Sequence, residues 1–145
     1  MSTIAASAGT RRLSRRALRL LAVAGAALAA LCVYVLATAA FDLDLRQPAF
    51  QAGKDAQDLS AGWAAVVAAF AALAGWGLLA LLERFTERAP RVWAVLAGLV
   101  FLLTLGGPFS GHGVSDDNRL ALLAMHVAVA AVVIPLLYRS ASRDA

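Results

Sequence analysis

Along this chain the hydrophobic positions gather into four long uncharged runs, with short polar segments between them. The runs extend from Leu20 to Phe41, Leu59 to Leu82, Val92 to Phe109 and Leu120 to Tyr138. A bilayer core about 30 Å thick is crossed by a helix of about 20 apolar residues. Backbone polar groups in hydrocarbon need partners within their own segment, so such runs must be helical. Strands of a membrane barrel would instead alternate over about ten residues, and these runs are apolar on all sides. The pattern predicts an all-α membrane protein, a four-transmembrane-helix bundle. It forms a single domain over 1–145, with spans over about 18–41, 59–82, 92–109 and 119–138. Residues 1–12 begin small and polar and predict a disordered tail.

Between the runs, turn formers mark the connections. Gln47-Pro48 and Gly53 argue for turns in the 42–58 loop rather than a folded domain. Gly106-Gly107-Pro108 breaks the third run. Pro90 disfavours helix at the residue before it, so the second helix is expected to extend to that point.

Charge then gives the runs a direction. The 12 Arg and one Lys sort by loop: ten lie in the N-terminal tail, the 83–91 connection and the C-terminal tail. The remaining three, Arg46, Lys54 and Arg119, share the other side with six of the nine acids. A formal net charge of +4 thus resolves into an excess of positive charge on one side and of negative charge on the other. Basic loops stay inside, so both termini are expected in the cytoplasm of a plasma-membrane protein. Four crossings require the same parity. Ser14-Arg15-Arg16 before an apolar run resembles a twin-arginine export signal. The run is longer than a signal's 7–15-residue core, so it is read as a retained span. The arginines of the 83–91 loop suit anionic lipid head groups. This is a basic balance read by topology, and no nucleic-acid partner is expected.

Composition adds the packing. Hydrophobic residues are 61% and charged residues 15% of the chain, outside the range of a soluble domain. Without a hydrophobic force between them, helices in lipid associate through small residues. Gly25 and Ala29 in the first span, and Ala68, Ala72 and Gly75 in the second, predict a close contact between those two spans. The third and fourth spans would then surround that pair. Trp76 lies between Gly75 and Gly77 and is read as interior packing.

Candidate chemistry is sparse. One cysteine, Cys32, permits no intramolecular disulfide and no paired-thiol redox chemistry. His112 falls in a Gly-Ser-Gly-His-Gly loop, so no matched pair of intramembrane histidines exists for a haem. No metal site or cofactor is expected. No carboxylate lies within a span, which argues against a small proton-coupled cation exporter. No Ser-His-Asp set, carboxylate pair or phosphate loop stands out.

His126 is the one ionisable residue deep in a span, about 9 Å below the start of the fourth run at 1.5 Å per residue. Tyr34, Thr38 and Thr104 fall near the same depth. These four form a candidate intramembrane polar cluster in the outer half. It offers either a relay or a structural hydrogen-bond bridge between helices.

Ala74-Gly75-Trp76-Gly77-Leu78-Leu79-Ala80-Leu81-Leu82-Glu83-Arg84, Val92-Trp93, Gly107-Pro108 and Leu120 to His126 followed by Ile134-Pro135 recur together. As a set they resemble a domain-of-unknown-function family of small four-span integral membrane proteins from high-GC Gram-positive bacteria. That resemblance runs from about Arg11 to Arg139 and implies no activity or catalytic residue. The reading is a non-enzymatic accessory or structural membrane component, associating with itself or with a partner membrane protein. The alternative is a small oligomeric transporter or channel built on the His126 cluster.

Overall fold

The computed structural model describes residues 13–142. Both the expected disordered tail over 1–12 and Arg143 lie outside that range. Four long helices dominate: α1 (Arg15–Phe41), α2 (Ala61–Phe85), α3 (Ala89–Leu105) and α5 (Asp116–Ala141), with a single turn, α4 (Gly107–Ser110), after α3. Four segments are long and apolar enough to cross a membrane, the third being α3 and α4 together. Their outward faces stay apolar: Phe70 is 71% and Leu103 78% exposed. Facing water, such residues would be a liability; facing lipid, they need no cover.

Serines start three of the four. The Ser14, Ser60 and Ser115 hydroxyls each accept an N–H from the first helical turn, from Ala17, Trp63 and Asn118 respectively. Each satisfies one of the donors a helix start leaves orphaned. Asp116 and Asp117 in the first turn of α5 and Arg139 in its last complement the helix dipole. Asp42 closes α1 in the left-handed region at φ 52°, its N–H bonded to the Ala37 carbonyl.

The 83–91 connection departs from expectation. Helix α2 stops at Phe85, where the Thr86 N–H returns to the Leu82 carbonyl. Pro90 falls in the first turn of α3 instead of ending α2. A proline there loses nothing, since its missing N–H would have had no helical partner.

Packing also departs from expectation. Helix α1 lies between α2 and α5, and its seam with α5 is the more extensive. The expected arrangement made α1 and α2 the central pair. Gly25 is the reason for the difference. A Cβ on it would lie 2.7 Å from Val132 Cγ1 of α5, so the missing side chain admits the fourth long helix, not the second. Ala22, Ala26 and Ala30, spaced four apart on one face, are fully buried. On α2 the same spacing buries Ala64, Ala68 and Ala72. Ala29 is half-buried.

Gly77 is exposed with open space around it, so it meets no other described helix of the chain. Gly75, two residues earlier, faces Leu137 and Trp93. The two glycines therefore predict opposite outcomes. Gly25→Leu should cost about 1–3 kcal/mol through overpacking, whereas Gly77→Ala should be neutral or stabilise by up to about 1 kcal/mol. Unfolding by SDS titration in mixed micelles measures both. Equal effects would sink the assigned seam.

Beyond the helix ends opposite the termini, the 42–60 loop forms a small cap. Strands β1 (Arg46–Gln47) and β2 (Gln57–Asp58) pair antiparallel. Ala49 and His112 exchange backbone hydrogen bonds of 3.0 and 3.1 Å, joining this loop to the one before α5. Gly111 makes the junction possible, because a Cβ there would sit 2.4 Å from Pro48 Cβ.

Candidate functional site

Helix α3 is the loosely held member. Among its described residues only Ala89 and Trp93, at its first turn, are buried. There the Trp93 indole N–H donates to the Gly75 carbonyl at 2.9 Å, pinning that end of α3 to α2. Toward the cap the helix stands away. A part-open cavity of about 830 Å³ lies between α2, α3 and α5, with Ala30 of α1 also on its wall.

Small side chains create the space. On α2 the wall includes Ala64, Ala68, Ala71, Ala72 and Gly75, and on α3 it includes Ala97. Trp93 lies at the pinned end, while Gln47, Pro48 and Phe50 of the cap loop lie at the other. Among the residues lining it, His126 is the one ionisable side chain. No Asp, Glu, Lys or Arg reaches the wall.

His126 and Thr104 both line this cleft, whereas Tyr34 and Thr38 do not. Depth does not separate them: Gly25 meets Val132 and the Arg19 side chain meets Ser140, and that antiparallel register sets His126 across from residues 31–33 of α1, within one helical turn of Tyr34. The separation is one of face, since α1 contributes Ala30 alone to the cleft wall.

Three of the four polar side chains look to their own helices. Nδ1 of His126 lies 2.8 Å from the Leu122 carbonyl, Thr104 donates to Phe101 at 2.8 Å, and Thr38 donates to Tyr34's carbonyl at 3.0 Å. A carbonyl only accepts, so Nδ1 carries the proton, and an imidazole protonated there alone offers Nε2 as an acceptor.

A second polar centre sits at the end bearing the termini. Arg15 and Arg19, one turn apart on α1, each send Nη2 to the same carboxylate oxygen, Glu83 Oε1 of α2, at 2.7 and 2.6 Å. Each sends Nε to Ser140 of α5: Arg15 to its carbonyl at 3.1 Å and Arg19 to its hydroxyl at 3.2 Å. That hydroxyl in turn donates to the Leu137 carbonyl at 2.7 Å, and Ser140 is fully buried. The Arg19 guanidinium also lies 6.0 Å from the Trp76 ring centre, within cation–π range.

Reading the sequence for topology missed this node, since it treated those arginines as charges at an interface. The available signal was Glu83, an acid at the end of one span facing the arginines that open its antiparallel neighbour.

The chain belongs to DUF6069, a family of unknown function, whose profile matches residues 10–143. No curated protein and no solved structure matches it. The four apolar helices suit a multi-pass membrane protein.

Proposed function

We propose that this protein is a non-enzymatic accessory component of the plasma membrane that holds an apolar guest from the bilayer in the cleft between α2, α3 and α5. The observation that carries the reading is the cleft itself: about 830 Å³, walled by helices of membrane-spanning length. Its opening at that depth meets lipid, and its wall offers nothing charged. Ligand sites are typically apolar concavities with few polar groups.

Both termini lie in the cytoplasm in this reading. Arg16, Arg84, Arg88, Arg91 and Arg139 are exposed at the end bearing the termini, where anionic head groups attract each by about 1 kcal/mol. The polar side chains His126, Thr104 and Thr38 bond back to their own helices, which favours holding a molecule over passing protons or ions.

The test is mild extraction from native membranes, followed by mass spectrometry of retained lipids and proteins. Ala71 lines the cleft yet is exposed, so Ala71→Trp fills the space without entering the packed core. Wild type should retain lipid that the variant loses. Equal retention by both would defeat the reading. A reproducible protein partner in the same sample identifies what the protein accompanies.

A further inference from the structure

The occupant's chemistry follows from what the wall does and does not offer. The cleft, about 830 Å³, is bounded by apolar side chains over its length and takes flexible hydrocarbon chains. No cation lines the wall, so a phosphate or carboxylate head drawn into it would be an unpaired charge in an apolar site, at large cost. The guest's head is neutral.

Hydrogen-bond polarity narrows the class further. The proton on His126 Nδ1 is engaged by the Leu122 carbonyl, and the Thr104 hydroxyl proton by Phe101. The Trp93 indole proton is engaged by Gly75. With Nδ1 held against its own helix, Nε2 is the ring atom left for the cleft. His126 and Thr104 thus present acceptors to the cleft, Nε2 and the lone pairs of Thr104 Oγ1, and a guest that bonds them must donate. At the same end Trp63 and Gln47 line the cleft and bring N–H groups, donors for an oxygen lone pair, the Gln47 amide oxygen being a further acceptor.

From these observations we infer that the cleft selects a neutral long-chain lipid bearing a free hydroxyl. The hydroxyl donates to His126 Nε2, and the chain runs along the Ala-rich wall of α2 toward Trp93. The span from Trp93 to Thr104 is about 16 Å at 1.5 Å per residue, room for an extended chain. The inference rests on the cleft holding a bilayer guest at all.

The experiment uses the full chain in phosphatidylcholine nanodiscs. The probes are a long-chain primary alcohol with a photoreactive group on its chain, and its methyl ether. The two share chain and oxygen, and only the alcohol can donate. Native mass spectrometry reads affinity, and photo-crosslinking reads location.

The alcohol should bind about tenfold more tightly than the ether, the equivalent of one ordinary hydrogen bond. Both should crosslink to cleft residues such as Ala97. His126→Phe should erase the preference while keeping ether binding, and His126→Gln, which restores an acceptor, should recover part of it. Equal binding of alcohol and ether to wild type, with crosslinks in the cleft, overturns the hydroxyl inference and leaves the cleft as a lipid site. A preference that survives His126→Phe removes His126 from it. Crosslinks nowhere in the cleft overturn both. The wild-type comparison alone decides the inference even if a variant fails to fold.

Discussion

Glu83→Ala is expected to lower stability by about 3 kcal/mol. One carboxylate oxygen accepts from both guanidiniums, at 2.7 and 2.6 Å, and hydrogen bonds to charged groups are worth about 1.5–3 kcal/mol each. The two bonds do not count equally. The Arg15 side chain is 38% exposed and its share is screened by solvent, whereas the Arg19 side chain is 11% exposed and its share is nearly full. Removing the acid also takes away the counter-charge that these two neighbouring cations share, which adds to the loss.

Glu83→Gln, which retains an oxygen acceptor without the charge, should cost roughly half as much. Arg84→Ala, one residue on and exposed, is the control. SDS titration in mixed micelles measures all three. If Glu83→Ala falls no further than Arg84→Ala, the node does not hold α1, α2 and α5 together.

This node shows where sequence reading stopped. Length and apolarity made the four spans legible, because hydrocarbon leaves a long uncharged segment no alternative to helix. The buried faces around Ala68 and Ala72 were legible because small residues four apart share a face. The partners of Arg15 were not, for Glu83 and Ser140 lie 68 and 125 residues away.

Which helix each face would meet was equally hidden. The pair formed by Gly25 and Val132 decided that α5 takes the larger seam with α1, and nothing local to Gly25 specifies Val132. Individual depths along the spans placed Thr104 with His126 on one cleft. They missed for Tyr34 and Thr38, because depth does not say which face of α1 turns to the cleft, and Ala30 is the residue of α1 on its wall. The cleft itself comes from a difference in packing along α3: tight at Trp93, where an indole bonds Gly75, and loose beyond it. No run of residues in α3 encodes that difference alone.

The cap depends in a comparable way on one side chain, and Asn118→Ala is expected to cost about 2–4 kcal/mol, since each backbone group left without its partner costs about 1–3 kcal/mol. In the β1–β2 pair the Leu59 N–H donates to the Leu45 carbonyl at 2.8 Å. Antiparallel pairing alternates, so the N–H and C=O of the next residue, Arg46, point away from β2. Asn118 of α5 meets both: its Oδ1 accepts the Arg46 N–H at 2.8 Å, and its Nδ2 donates to the Arg46 carbonyl at 2.9 Å. The amide stands in for a third strand and is 3% exposed.

Asn118→Asp should not rescue the alanine variant. It keeps the acceptor but sets an oxygen against the Arg46 carbonyl. Hydrogen exchange in micelles should rise at Arg46 and across 43–60 in both variants while the α1–α5 seam stays protected. Because Gln47, Pro48 and Phe50 of the same loop line the cleft, loosening the cap should also speed release of whatever lipid the protein retains. Unchanged exchange at Arg46 in Asn118→Ala would show that the cap is held by the Ala49–His112 pairing instead.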